Sequence, residues 1–203
     1  MATLLILGAG GHGRVVADAA LGASAWSRVI ATDRDPQRCR GELLPGVALL
    51  PVAAAMGQAD AVHIAIGDAA SRRKEAAALA GKPLATIVHS RASVSTHATI
   101  EPGCFIAAQS VVAAGARLGR CVIVNHGAVV DHDVRIGDFC HVAPLAALGG
   151  GVHVAENVLV GSGASVLPNV HVASDITIGA GAAVCDDLAE PGRYAGVPAR
   201  RLG

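Results

Sequence analysis

From Val88 to Val184 an aliphatic residue stands at every sixth position, through Val94, Ile100, Ile106, Val112, Leu118, Val124, Val130 and onward without a charge, Gly or Pro in the series. Two residues before most of these lies a second small or apolar residue, such as Ala98, Cys104, Ala116, Val122, Cys140 or Ala182. A period of six belongs to neither an amphipathic helix nor a single strand. It is the repeat of a solenoid in which each hexad forms one side of a triangular coil, so eighteen residues close one turn of a parallel β-helix. Strand spacing makes this ladder a prism of roughly five coils and about 25 Å. With each ladder residue as position i, positions i and i+4 face inward, i+1 and i+5 face out from a flat side, and i+2 with i+3 form a corner. This register puts His132 and Asp133 on a corner and His126 on the preceding corner. His141, His153 and His171 fall on flat sides, the last two stacked in one column, and Cys104 and Cys140 face inward as small core residues.

The first 87 residues follow a different rhythm. Thr3 to Leu7 predicts a buried strand, Gly8-Ala9-Gly10-Gly11-His12-Gly13 a turn, and Arg14 to about Leu21 a helix. Strand, glycine turn and helix in that order fit G-x-G-x-x-G, whose glycines bring backbone close to a phosphate at the positive end of a helix. A second strand, Arg28 to Thr32, ends at Asp33, where an acid meets a ribose hydroxyl in a dinucleotide site. A strand near Val47 to Leu50, a helix from Val52 to Met56, a strand Ala61 to Ile66 ending at Gly67, a helix from Ala69 to about Ala80 and a last strand Leu84 to Ile87 complete the segment. This predicts an α/β half-Rossmann domain, residues 1–87, ahead of an all-β parallel helix, residues 88–184, with a capping tail, residues 185–203.

Composition narrows the function. Aromatic residues are only 2% of a chain that is 52% hydrophobic, as a thin aliphatic prism requires. The formal charge is zero with no basic run, which argues against nucleic acid or anionic membrane as a partner. Five cysteines form no CxxC pair, no segment has spanning length, and the apolar Leu4 to Leu7 lacks the flanks of a signal peptide, so the expected location is cytoplasmic.

The ladder, the stretch Val130-Asp131-His132-Asp133, His141 nine residues beyond His132, and the terminal Gly196-Val197-Pro198-Ala199-Arg200 resemble the left-handed β-helix acyltransferases. With the glycine-rich half-fold in front, the resemblance narrows to the family of sialic-acid O-acetyltransferases and nucleotide-amino-sugar N-acetyltransferases (NeuD/PglD-like). It implies acetyl-CoA as co-substrate, a nucleotide-activated amino sugar as acceptor and a homotrimer. Carried over by position, His132 and Asp133 are the catalytic pair. His141, Gly150 and Ala180 lie along acetyl-CoA, and Gly10, Gly11, His12, Thr32, Asp33 and Gly67 form the nucleotide-sugar pocket; no metal is expected.

The residues support direct transfer. His132 near its neutral pKa can take the amine proton as the amine attacks the thioester, Asp133 can orient the imidazole, and His141 or a backbone N–H can hold the thioester carbonyl. A corner at 132–133 and a flat side at 141 are a full side apart in one coil, so they meet only across a subunit boundary. The alternatives are sugar O-acetylation, a non-catalytic nucleotide-sugar scaffold, and a β-helix metalloenzyme. The last needs paired histidines five residues apart, a spacing absent from this sequence.

Overall fold

The structure, a computed structural model, describes residues 2–23, 25–79 and 81–203. It divides into two compact units, the first ending at Ser90 and the second running Arg91–Gly203.

In the first unit, β1 (Thr3–Leu7) is followed by α1 (Gly11–Gly22), β2 (Arg28–Thr32), β3 (Glu42–Leu44), β4 (Val47–Leu49), α2 (Val52–Gln58), β5 (Ala61–Ile64) and α3 (Ala69–Ala78). The sheet order is β3-β4-β2-β1-β5, parallel except for the edge pair β3/β4. Its core gathers Leu5, Leu7, Ile30, Val62, Ile64 and Leu79. Three details depart from the sequence expectation. Helix α1 starts at Gly11 rather than Arg14, so half of the glycine motif forms its first turn. Glu42–Leu44 adds an unexpected antiparallel edge strand, turned back through Gly46 at φ +85°. Leu84 to Ile87 is not one continuous strand: Leu84 makes a single bridge with Val62, the Ala85 carbonyl is taken by the His63 ring, and Ile87 opens a separate two-residue strand, Ile87–Val88. The expected helix end at Ala80 lies outside the described residues.

The second unit is a left-handed parallel β-helix of two-residue strands. Its first side stacks Ser93–Val94, Val111–Val112, Val129–Val130, Ala147–Leu148, Ser165–Val166 and Ala183–Val184. The second side stacks Thr99–Ile100, Arg117–Leu118, Arg135–Ile136, His153–Val154 and His171–Val172. The third runs from Phe105–Ile106 through Ile123–Val124, His141–Val142 and Leu159–Val160 to Ile176–Ile178. Every pairing is offset by eighteen residues, for example Val111 with Val129 and Arg117 with Arg135. Ladder residues and their i+4 companions fill one continuous core, Cys104 and Cys140 included.

The corners carry a second regularity. Every sixth residue from Gly103 to Gly181, the i+3 position, has a positive φ. A side chain there costs about 1–2 kcal/mol, which Gly avoids and Asn or Asp tolerates best. Glycines at 103, 115, 127, 151, 163 and 181, together with Asp133, Asn157, Asn169 and Asp175, meet this demand, while Gln109, Cys121, Phe139 and Leu145 do so against their preference.

The tail closes the open end of the prism. Leu188 bridges to Val172, Gly192–Ala195 pairs with Ile176–Ile178, and Leu188, Tyr194 and Ala199 join the core. Arg201 is tied to Glu190 at 2.8 Å and to the Pro191 carbonyl at 2.9 Å. No helix among the described residues is long and apolar enough to cross a membrane.

One buried group makes the first unit sensitive to pH. His63 on β5 is fully enclosed, and its Nδ1–H donates to the Ala85 carbonyl at 2.9 Å. Burial, helped by the nearby charges of His12 and Arg72, lowers its pKa to about 4 against that hydrogen bond. The folded state therefore binds the proton less readily than the unfolded state. Stability should be full above about pH 6.5 and fall as pH drops toward 4, by on the order of 3 kcal/mol. Thermal unfolding of the wild type and His63→Gln across this range checks it, the variant losing less stability on acidification.

Candidate active site

Three chemistry-bearing regions emerge, one on a corner of the prism, one on its third side and one in the first unit. On the corner after the first side, the His132 N–H donates to Asp131 Oδ1 at 2.7 Å, and His132 Nδ1 lies 3.0 Å from Asp133 Oδ2. A carboxylate can only accept, so Nδ1 carries the proton and Nε2 keeps the lone pair of the neutral ring. The hydrogen bond to Asp133, followed by the negative charge of Asp131, raises the His132 pKa above its ordinary value. Asp133 reaches this place because it occupies the left-handed corner position, at φ +59°.

Two glycines one coil away make room for the pair. A Cβ on Gly150 would stand 2.4 Å from His132 Nε2, and one on Gly115 would stand 2.5 Å from Asp133 Oδ1. Gly115 is also required by its φ of +75°, whereas Gly150 has no positive φ and is Gly for space alone. The Gly149-Gly150-Gly151 run thus has three separate causes. Gly149 clears Pro168, Gly150 clears the imidazole, and Gly151 takes the left-handed corner over Asn169. Gly150, expected along acetyl-CoA, lies against the His132 ring.

His141 stands half-buried on the third side. Beside it, Asn125 accepts the His126 N–H through Oδ1 at 2.9 Å, which leaves its Nδ2 to donate to His141 Nε2 at 3.1 Å. His141 is thereby held in the tautomer with its proton on Nδ1. Asn125 was not singled out from sequence, although its register, at i+1 beside a flat-side histidine one coil on, would have found it. Ala180 is exposed on the corner after the same side, above Gly161. Within one chain His132 with Gly150, and His141 with Ala180, lie on different sheets or corners. The remaining histidines behave as the register expects: His126 is exposed on a corner, and His153 and His171 stack with centroids 4.7 Å apart.

In the first unit the glycine motif divides by role. Gly8 at φ +120° packs against the Ala65 carbonyl, and a Cβ on Gly13 would meet the Gly8 carbonyl oxygen at 2.0 Å. These two shape the turn. Gly11 has open space at its Cβ position, and Gly10 meets only the end of Arg38 at 3.9 Å. They border a cavity of about 450 Å³ at the start of α1, lined also by Arg14, Arg38, Arg40 and Glu42. No side chain caps α1, so its first N–H groups border a cavity that three arginines also line. Asp33 takes the Ala9 N–H at 2.8 Å and the Asp35 N–H at 2.9 Å, bracing the glycine loop. It also lines a neighbouring cavity of about 470 Å³ with Arg34, Pro36, Cys39, Arg40, Pro51 and Val52.

Three expected pocket residues do not line either cavity. Thr32 is a correction: it is fully buried, its hydroxyl donating to the Leu50 carbonyl at 2.7 Å, so it ties β2 to the end of β4. His12 is half-buried and close enough to His63 to act on its charge. Gly67 is exposed, and its carbonyl accepts from the buried Arg72 at 2.9 Å. The cationic trio of Arg14, Arg38 and Arg40 was missed because its members come together only when the loop after β2 folds over the helix start. Among the described residues no group of three or more His, Cys, Asp or Glu could hold a metal.

Residues 3–79 match the PglD N-terminal domain family, and residues 84–182 match the GMPPB C-terminal domain family. The acetyltransferase domain of PglB from Neisseria gonorrhoeae FA1090 is 34% identical, with a TM-score of 0.91 over 100% of both chains, and has also been solved with acetyl coenzyme A. PerB from Caulobacter crescentus, solved with CoA and GDP-perosamine, is 33% identical with a TM-score of 0.91 over 100% of this chain and 98% of that one. A GDP-perosamine N-acetyltransferase from Escherichia coli O157:H7 is 32% identical over 105 residues, 52% of this chain and 48% of that protein. The chain thus matches about half the length of that curated relative.

The Gly150 contact gives a direct test. In Gly150→Ala the exposed imidazole should swing off Asp133 while the coil stays folded. The His132 pKa, followed by NMR titration, should then fall toward its ordinary value; an unchanged titration would mean the ring is not seated on Gly150.

Proposed function

This chain belongs to the NeuD/PglD-like family of hexapeptide-repeat sugar acetyltransferases, and on that premise we propose that it transfers the acetyl group of acetyl-CoA to the amine of a nucleotide-linked amino sugar. The observation that carries the reading is His132, hydrogen-bonded through Nδ1 to Asp133 and seated over Gly150, which presents a basic Nε2 at an exposed corner. Nε2 takes a proton from the sugar amine as its nitrogen bonds to the thioester carbon. The carbonyl oxygen gains negative charge in the tetrahedral intermediate, the C–S bond then breaks, and the proton held by His132 passes to the departing CoA sulfur. Products are the N-acetylated sugar nucleotide and CoA. Asp133 stabilises the imidazolium formed in the first step.

His141, held by Asn125, is the proposed donor toward the thioester carbonyl, with Gly150 and Ala180 along the pantetheine. Because His132 and His141 belong to different sides of one prism, the complete site requires a neighbouring subunit, and the assembly is read as a homotrimer. The nucleotide is assigned to the first unit, its phosphates at Gly10, Gly11 and the start of α1, with Asp33 bordering the adjoining cavity. The intracellular supply of acetyl-CoA makes the cytoplasm the proposed location.

His132→Ala should lower turnover of acetyl-CoA with a panel of amino-sugar nucleotides by about 10²- to 10⁴-fold. Mixing it with an inactive His141→Ala chain should restore part of the activity, since mixed assemblies regain interfaces with both histidines. A loss under tenfold, or no recovery after subunit exchange, counts against the base and the shared site respectively. Gly11→Val fills space that no protein atom occupies, so it should weaken nucleotide-sugar binding in calorimetry without lowering the melting temperature. Unchanged affinity would move the nucleotide elsewhere.

A further inference from the structure

A nearly enclosed carboxylate in the first unit serves no step of acetyl transfer. Glu75 on α3 is 8% exposed, and both of its oxygens are taken by Arg34 of the loop after β2, Nε donating to Oε1 at 2.9 Å and Nη2 to Oε2. Two parallel hydrogen bonds fix the plane of the guanidinium as well as its position. The ion pairs Arg38–Asp35 and Arg201–Glu190, by contrast, leave both partners about half exposed or more. Enclosing Glu75 costs desolvation that those surface pairs avoid, and the two-toothed contact offsets it.

The loop does not need this pair to hold its shape. Asp33 takes the Ala9 and Asp35 N–H groups, and Asp35 takes the Gln37 N–H at 2.9 Å. What the pair fixes is a side chain, since Arg34 is still 55% exposed and lines the cavity of about 470 Å³ beside Asp33. A free arginine gives up rotamer freedom when a ligand docks, whereas one already held does not. Around it, Pro36, Pro51 and Val52 supply aliphatic wall, the prolines bringing no N–H, and the Cys39 thiol is turned to the Asp33 carbonyl at 3.2 Å. Such walls offer nothing to the hydroxyls of a sugar, and the Asp33 carboxylate disfavours a second anion. They suit an uncharged flat π-system, whose face a guanidinium plane attracts. Arg40 lines this cavity and the one at Gly10 and Gly11, so a ring in the first and phosphates in the second would share a neighbour.

We propose that Arg34 is the stacking platform for the nucleobase of the sugar nucleotide and that Glu75 is its positioning residue, the pair setting how much the base, as distinct from the phosphates, adds to binding. The inference rests on the placement of the nucleotide in the first unit. A purine has the larger π-face and gains more from the platform than a pyrimidine, so the pair favours GDP over UDP.

The test is calorimetric titration of the wild type, Arg34→Lys, Glu75→Gln and the double variant with GDP, UDP and inorganic pyrophosphate, melting temperatures verifying that each variant is folded. Lysine keeps the charge and can still meet Glu75, but it has no plane. Arg34→Lys should lose about tenfold in GDP affinity, less for UDP and little for pyrophosphate. Glu75→Gln should show a smaller loss of the same kind. In the double variant it should add nothing to Arg34→Lys, whereas a Glu75 that only supported the fold would still add its own loss. Unchanged GDP affinity in Arg34→Lys, a pyrophosphate loss as large as that for GDP, additive losses in the double variant, or a wild type that binds neither nucleotide overturns the proposal. Failure of the nucleotide placement is read separately from unchanged affinity in Gly11→Val, and failure of the acetyl-transfer reading from the turnover of His132→Ala.

Discussion

The constraint on which the second unit depends is the eighteen-residue coil. Each flat-side N–H reaches the carbonyl of the coil beside it, as Val111 to Ala128 and Arg117 to Val134, only if every turn uses the same number of residues. A single insertion on a side would move aliphatic residues outward and put corner residues where the backbone must run straight. The chain meets this demand twice in each hexad, with an aliphatic residue facing the axis and a residue tolerant of positive φ at the corner. Where the corner holds Phe139 or Leu145 instead of Gly, Asn or Asp, the repeat imposes the left-handed conformation on a residue that does not favour it.

The same constraint builds the chemistry. Residues eighteen apart in sequence lie one above another, so each functional side chain is set by the residue one coil away. His132 has its position because Gly150 has no side chain, Asp133 because Gly115 has none, and His153 because His171 lies next to it. Asp133 serves both needs at once: it fits the left-handed corner and holds the imidazole proton. A rigid, repetitive scaffold is well suited to this work, since side chains anchored on stacked short strands have little freedom to drift from a working geometry.

The first unit follows other rules. Its glycine loop is held from beneath by Asp33 and closed by Gly8 and Gly13, leaving Gly10 and Gly11 open beside the start of α1. Buried polar groups there are satisfied locally: Thr32 by Leu50, His63 by Ala85, and Arg72 by the carbonyls of Ile66 and Gly67. Arg34 reaches Glu75 of α3, with Nε 2.9 Å from Oε1, a bond that raises the arginine pKa. These contacts make the loop after β2 a firm wall for the two cavities it borders.

By itself the sequence determined the solenoid, its three sides, the inward cysteines, the corner place of His132 and Asp133 and the stacked pair His153 and His171, because all of these follow from a period that local residues carry. It also carried the half-fold, since β1, the glycine turn and α1 are contiguous. Only the tertiary structure decided that Thr32 is sealed inside, that Gly150 lies against an imidazole, that Arg14, Arg38 and Arg40 line one cavity, that Asn125 holds His141, and that Leu84 to Ile87 breaks into a single bridge and the start of a separate short strand. Each of these depends on which distant residue fills the adjacent space or offers the next hydrogen bond. That is a property of the packed chain, and no local pattern of residues encodes it.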